Sequence, residues 1–146
     1  HPESKSYSSD VDFFKRKVDA GANSAITQYF YNPDAYFRFV DYCRTTGIDI
    51  PIVPGIMPIT NYANLARFSA SCGAEIPRWL DKRLTGFGDD PQSLRSFGID
   101  VVTELCEDLL QGGAPGLHFY SMNLNQAVTQ IWTNLDLGNR PQRELL

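Results

Sequence analysis

The sequence contains no sustained apolar run. Nothing in it approaches the roughly 20 consecutive apolar residues of a membrane helix, so no membrane association is expected. It also lacks a basic tract. Lys15-Arg16-Lys17 is the longest basic cluster and the formal net charge is −4, which argues against nucleic acid as a partner. Cysteine is scarce: Cys43, Cys72 and Cys106 are odd in number and scattered. With no CxxC pair they support neither a disulfide framework nor a metal centre, and a reducing, cytoplasmic setting is expected. The phosphate-binding GxxxxGK[ST] loop, the dinucleotide GxGxxG and the nucleophile-elbow GxSxG are all missing. No carboxylate pair has a spacing that points to acid–base chemistry. An initiator methionine is absent too. His1-Pro2-Glu3-Ser4-Lys5 is polar from the first residue, unlike a signal peptide. The chain starts at what reads as the end of a strand, so a fragment of something longer is expected.

What the sequence does contain is a rhythm of helix and strand. Its 146 residues, 42% hydrophobic and 21% charged, suffice for one domain with a core. Ser9 or Asp10 is the expected cap of a first helix, Asp10 to Ala20, with Val11, Phe14 and Val18 on its buried face and Gly21 as its stop. Ala22 to Tyr31 reads as a buried strand. Asn32-Pro33 opens a second helix with Tyr36, Phe37, Phe39 and Val40 on its apolar face, and Gly47 ends it. The second strand is Ile50 to Ile56; Pro51 is expected at its start, and Pro54-Gly55 where the chain leaves the sheet. Thr60 or Asn61 caps a helix running through Phe68 to Cys72. A short extra helix begins at Pro77. Asp90-Pro91 opens the longest helix, to Gln111, with Leu94, Phe97, Val101, Leu105 and Leu109 at helical spacing. Gly116 to Met122 is the third strand. Asn123 starts a last helix burying Ala127, Val128, Ile131 and Leu135.

Helix–strand alternation of this kind belongs to parallel α/β sheets. The expectation is an α/β fold: part of a (β/α)8 TIM barrel, three strand–helix units with parallel strands over residues 1–137, and a disordered tail over 138–146. A whole barrel needs about 250 residues.

Ligands in such sheets bind beyond the carboxyl ends of the strands, and four stretches fall there. Gln28 carries an amide able to read a planar heterocycle edge-on, although a local hydrogen-bonding role is the plainer reading. Pro54-Gly55-Ile56-Met57-Pro58 is either a shaped wall or a simple turn. His118-Phe119-Tyr120-Ser121-Met122-Asn123 holds a histidine that reads more readily as structural. His1, Asp10, Arg16 and Lys17 are either a diphosphate-holding group or a solvated helix face. The residues alone give a ligand-facing rim and no reaction.

Taken together, the motifs resemble the methylenetetrahydrofolate reductase family. The matching stretches are His1-Pro2-Glu3, Lys15 to Ala22 (KRKVDAGA), Ala25 to Phe30 (AITQYF), Pro54 to Pro58 (PGIMP), Ile76-Pro77 and His118 to Asn123 (HFYSMN). They occur in the family's order and spacing, over nearly the whole chain to about Leu137. The resemblance implies a flavoprotein barrel that holds FAD at the carboxyl ends of its strands and passes a hydride from NAD(P)H through the flavin to methylenetetrahydrofolate. This chain would be the barrel's last three strands. Gln28 would hydrogen-bond the pterin, Phe68 would pack on whichever substrate lies against the flavin, and Asn64 would stand on the substrate side. His1, Asp10, Arg16, Lys17 and Tyr120 would contact FAD. The family's catalytic acid would lie upstream of this chain, so no catalytic residue is assigned within it.

Three departures stand out. Leu124 replaces an Arg that contacts substrate in some members, Asn64 replaces a longer Gln, and Phe13 stands where a polar, FAD-facing residue can occur. The piece alone is expected to be inactive, and to self-associate or pair with the missing amino-terminal part. The alternative is a non-catalytic, barrel-derived binding or assembly module.

Overall fold

The computed structural model describes residues 6–139; His1 and residues 140–146 of the expected tail lie outside the described residues. The element order is α1 (Tyr7–Asp19), β1 (Ala25–Tyr29), α2 (Pro33–Thr45), β2 (Ile52–Ile56), α3 (Tyr62–Cys72), α4 (Arg78–Gly86), α5 (Pro91–Gln111), β3 (His118–Phe119) and α6 (Asn125–Asn134). The strands form one sheet in the order β1-β2-β3, and both pairings are parallel. The expected α/β class with a parallel sheet is what the chain adopts.

Local chemistry sets most of the helix ends. Asn32 accepts from the Asp34 N–H at 3.0 Å, and Pro33 takes the first helical position of α2, where a missing N–H costs nothing. Asn61 caps α3 through the Asn64 N–H at 2.9 Å. Asp90 caps α5 through the Ser93 N–H at 3.0 Å, with Pro91 first in the helix. Pro77 stands immediately before α4. Gly73 ends α3 in the left-handed conformation at φ 70°.

Several boundaries correct the sequence reading. The first helix starts three residues earlier than expected, because Ser6 and not Ser9 or Asp10 is the cap; its side chain accepts from the Ser9 N–H at 3.2 Å. β1 is half the length expected. β3 shrinks to two residues, because Met122 and Asn123 turn left-handed at φ 51° and 61° and lead the chain out of the sheet. The last helix accordingly begins at Asn125 and not Asn123. Its capping position, Leu124, makes no side-chain hydrogen bond, and Leu135 follows the helix as its C-cap. Pro54 lies inside β2 and is buried, where the expected position was the strand's exit.

The core lies between the sheet and the helices. Ile52 and Ile56 of β2 are fully buried, with Leu80 and Leu84 of α4, Val102 and Leu109 of α5 and Ile131 of α6. Gly98 lets α5 approach the chain after β2: a Cβ there would lie 2.3 Å from the Ile59 carbonyl oxygen. Cys43 and Cys106 fill the core as small apolar groups, and burial pushes the Cys106 thiol up to about 12. Among the described residues no helix is long and apolar enough to cross a membrane, and no cluster of His, Cys, Asp or Glu is arranged to hold a metal.

Candidate functional site

The site is built outward from Pro54. Pro54 sits in the middle strand with its nitrogen turned away from β1. The Pro51 carbonyl, just before β2, and the Gly55 N–H face β1, whereas the Ile56 carbonyl accepts from the Tyr120 N–H on the other side. The register of β1 slips beside it. Ile26 pairs with Val53 and Tyr29 with Gly55, so two residues, Thr27 and Gln28, stand opposite Pro54. This is a β-bulge. Thr27 closes it: its Oγ1 accepts from the Gly55 N–H at 3.0 Å and donates to the Gln28 carbonyl at 2.8 Å. Gln28 is left exposed at the end of β1, and its Oε1 accepts from the Tyr29 N–H at 3.0 Å. Among the described residues, nothing engages its Nε2 donors.

Three tyrosines then fasten the loops around this end of the sheet. Tyr120, just beyond β3, donates from its hydroxyl to the Thr27 carbonyl at 2.9 Å. Tyr31 donates to the Met57 carbonyl at 3.1 Å and fixes the loop after β2. The Tyr29 hydroxyl is 3.0 Å from Ser69 Oγ and ties β1 to α3; both residues are buried. Burial pushes the Tyr31 phenol well above its ordinary range. It also raises Tyr29, against the opposing effect of the Ser69 hydrogen bond. Both stay protonated and act as hydrogen-bonding struts rather than bases.

Between these struts lies a cleft of about 90 Å³. Met57 and Pro58 form one side, and Asn64, Leu65 and Phe68 of α3 form the second. Tyr120, Met122 and Leu124 close the third. No lining residue is charged. Phe68, Met122 and Leu124 leave 39%, 54% and 61% of their surface exposed, so the rim is apolar and open.

The structure thus brings Asn64, Phe68 and Tyr120 together. Gln28 lines a different, open groove along β1, beside Asp10 and Phe14 of α1 and Tyr36 and Phe39 of α2. Arg16 is exposed, its guanidinium 5.5 Å from the centre of the exposed Phe13 ring. Lys17 is exposed as well, and its spacing from Asp10 and Phe14 puts it on their side of α1. His118 packs edge-on against Tyr120 at 4.9 Å and does not line the cleft. Sequence reasoning missed Thr27 and the left-handed turn at Met122. No local sequence signal marks the first, since the bulge that Thr27 closes depends on how β1 pairs with β2.

Comparison with known proteins adds the family. The family model described as methylenetetrahydrofolate reductase matches residues 1–136. The chain is 41% identical to methylenetetrahydrofolate reductase (NADH) 1 of Arabidopsis thaliana over 91% of its own length and 22% of the relative's. It is 39% identical to 5,10-methylenetetrahydrofolate reductase of Escherichia coli over 97% of its own length and 47% of the relative's. The chain therefore spans less than half of the length of these relatives. Among solved structures, it resembles an uncharacterized protein from Clostridium thermocellum, described as binding two copies of 5-methyl-5,6,7,8-tetrahydrofolic acid. The TM-score is 0.58 at 23% identity, covering 90% of this chain and 48% of that one, a likeness of fold. By the extent of the family match and these identities, the chain belongs to the methylenetetrahydrofolate reductase family.

Proposed function

We propose that this chain is the carboxyl-terminal part of a (β/α)8 barrel in an FAD-dependent methylenetetrahydrofolate reductase, with residues 1–137 in the barrel and 138–146 as a tail. The whole protein would pass a hydride from NAD(P)H to methylenetetrahydrofolate and release methyltetrahydrofolate. One observation carries the reading. In a chain of this family, Asn64, Phe68 and Tyr120 meet in one uncharged cleft beyond the carboxyl ends of β2 and β3.

In this reading Phe68 offers an apolar ring face to a flat substrate, and Asn64 an amide beside it. Gln28 turns its unengaged Nε2 donors to the pterin. A bound flavin would supply the ring that accepts and returns the hydride. The residues present fit that cofactor: Arg16 and Lys17 are exposed cations suited to a diphosphate, Asp10 accepts from a sugar or adenine group, and Tyr120 stands at the flavin side. His1 belongs to the same group. The catalytic acid lies upstream of the chain.

A cleft of about 90 Å³ is well below the ~300–1,000 Å³ of a small-molecule site, so it forms one wall of the site. The other wall comes from the amino-terminal part of the barrel, or from a second copy. Ile26 of β1 is 52% exposed, and β1 has a strand on one side only among the described residues. Such an edge favours association. The chain alone is then inactive and self-associates; a clean monomer by light scattering would contradict the second point.

The test is flavin retention. FAD is added to the purified chain and to the full-length protein that carries it, the excess is removed, and the visible spectrum is recorded. NADH oxidation with a quinone acceptor is then assayed. A flavin band and turnover in the full-length protein support the reading, and their absence there overturns it.

A further inference from the structure

We infer that Arg67 is the specificity residue that seats the acidic tail of the folate, with Asn64 as its positioning partner. The inference rests on the folate reading above and extends it to a charge the cleft itself lacks. A folate is a neutral reduced pterin joined to an aminobenzoyl group and an anionic glutamate. Every residue lining the cleft is uncharged, which suits the rings and leaves the carboxylates without a partner. The turn beyond β3 supplies no cation, because Leu124 fills the rim there with a side chain 61% exposed.

Helix α3 supplies one. Arg67 Nη2 donates to Asn64 Oδ1 at 3.0 Å, and Asn64 lines the cleft. The two residues are three apart on the helix, on neighbouring positions of its surface. The guanidinium is therefore held at the edge of the cleft, one residue before Phe68. Among the described residues it has no acidic partner. A guanidinium has five N–H donors, and this contact accounts for one nitrogen. The others remain for a carboxylate, which a guanidinium grips through two parallel hydrogen bonds. Asn64 keeps its Nδ2 donors beside the guanidinium, so both side chains can donate to an approaching anion. Ring on Phe68 and carboxylate on Arg67 then give the ligand a fixed direction along α3.

The experiment compares two ligands on the full-length protein that carries this chain. One is 5-methyltetrahydrofolate; the other is its glutamate diamide, which keeps the shape without the charge. Arg67→Ala removes the side chain. Arg67→Gln removes the charge and keeps a donor for Asn64. Both variants alter an exposed residue, and their folding is checked by thermal melting. The expected result is a roughly ten- to hundredfold rise in Kd for the acid in both variants, the range of a charge-assisted hydrogen-bonded contact. The Kd of the diamide should stay within about twofold of the parent's. Equal losses for acid and diamide would reduce Arg67 to a structural prop for Asn64 and overturn the inference. So would an unchanged preference for the acid in Arg67→Gln. If neither ligand binds the parent protein, the folate reading itself falls, and this seat with it.

Discussion

The hydroxyl of Tyr120 reaches from beyond β3 to the carbonyl of Thr27 on β1, 2.9 Å away, across the middle strand. It crosses where β2 carries Gly55. A Cβ at that position would lie 2.3 Å from the Thr27 oxygen and 2.6 Å from Tyr120 Cε2. Gly55→Ala is therefore expected to destabilise the fold by about 1–3 kcal/mol, the range of overpacking. Tyr120→Phe should cost about 0.5–1.5 kcal/mol, one hydrogen bond. Urea denaturation measures both, and a Gly55→Ala protein as stable as the parent would refute the strap.

Helix propensity and packing disagree in sign at Gly98. Alanine is favoured over glycine inside a helix by about 1 kcal/mol, yet a Cβ at 98 would sit 2.3 Å from the Ile59 oxygen. Packing should win, and Gly98→Ala should lower Tm. Gly86, at the end of α4, has no heavy atom within 4 Å of an added Cβ and no positive φ. There the same substitution should stabilise by about 0.4–1 kcal/mol.

The three thiols should react in a definite order. Cys72 is half-buried, 3.6 Å from the Tyr29 hydroxyl, whereas Cys43 and Cys106 are buried. Brief iodoacetamide treatment of the native protein, followed by peptide mass mapping, should label Cys72 first. Labelling of Cys106 ahead of it would contradict the packing.

Alkaline pH should weaken the fold. Burial holds the Cys106 thiol and the Tyr36 phenol each up to about 12, from ordinary values of 9.0 and 10.0. Between the two values the folded chain binds more protons than the unfolded one, so stability falls as pH rises. The contribution is complete below about pH 9 and lost progressively towards pH 12. Melting temperatures across that window check it, and Cys106→Ala should flatten part of the slope while lowering stability at neutral pH.

At the acid end, the hydrogen bonds from Ser93 hold the Asp90 carboxyl below its usual range. Its contribution is present above the ordinary carboxylate pKa and is lost as pH falls through the lowered value. Asp90→Ala should lower Tm at neutral pH. Asp90→Asn should keep the cap and remove this part of the acid dependence.

Much of the fold was legible because the signals were local. Asn32-Pro33 and Asp90-Pro91 each place a capping oxygen directly before a proline, and both helices begin there. The start of α1 was not legible, because Ser6, Ser9 and Asp10 all have capping oxygens and the first turn shows no apolar periodicity to choose among them. β3 was read too long because extended apolar residues look alike with or without a ladder partner. For the site, the resemblance singled out Asn64, Phe68 and Tyr120 individually, but their meeting depends on the register of β2 against β3, which no single stretch encodes. The separation of Gln28 from them depends on the bulge.

That bulge makes chain length, rather than residue type, the sensitive quantity in β1. From Ile26 to Tyr29 the chain advances three residues while β2 advances two, from Val53 to Gly55. Deleting either Thr27 or Gln28 would restore an even count, yet would break the bridge in which Thr27 Oγ1 accepts from the Gly55 N–H and donates to the Gln28 carbonyl. Inserting one would turn Tyr29 away from Ser69 and release α3 from the sheet. A change of length should be tolerated in the stretch between Gly73 and Pro77 and rejected between Ile26 and Tyr29, although the second lies only a few residues from an exposed loop.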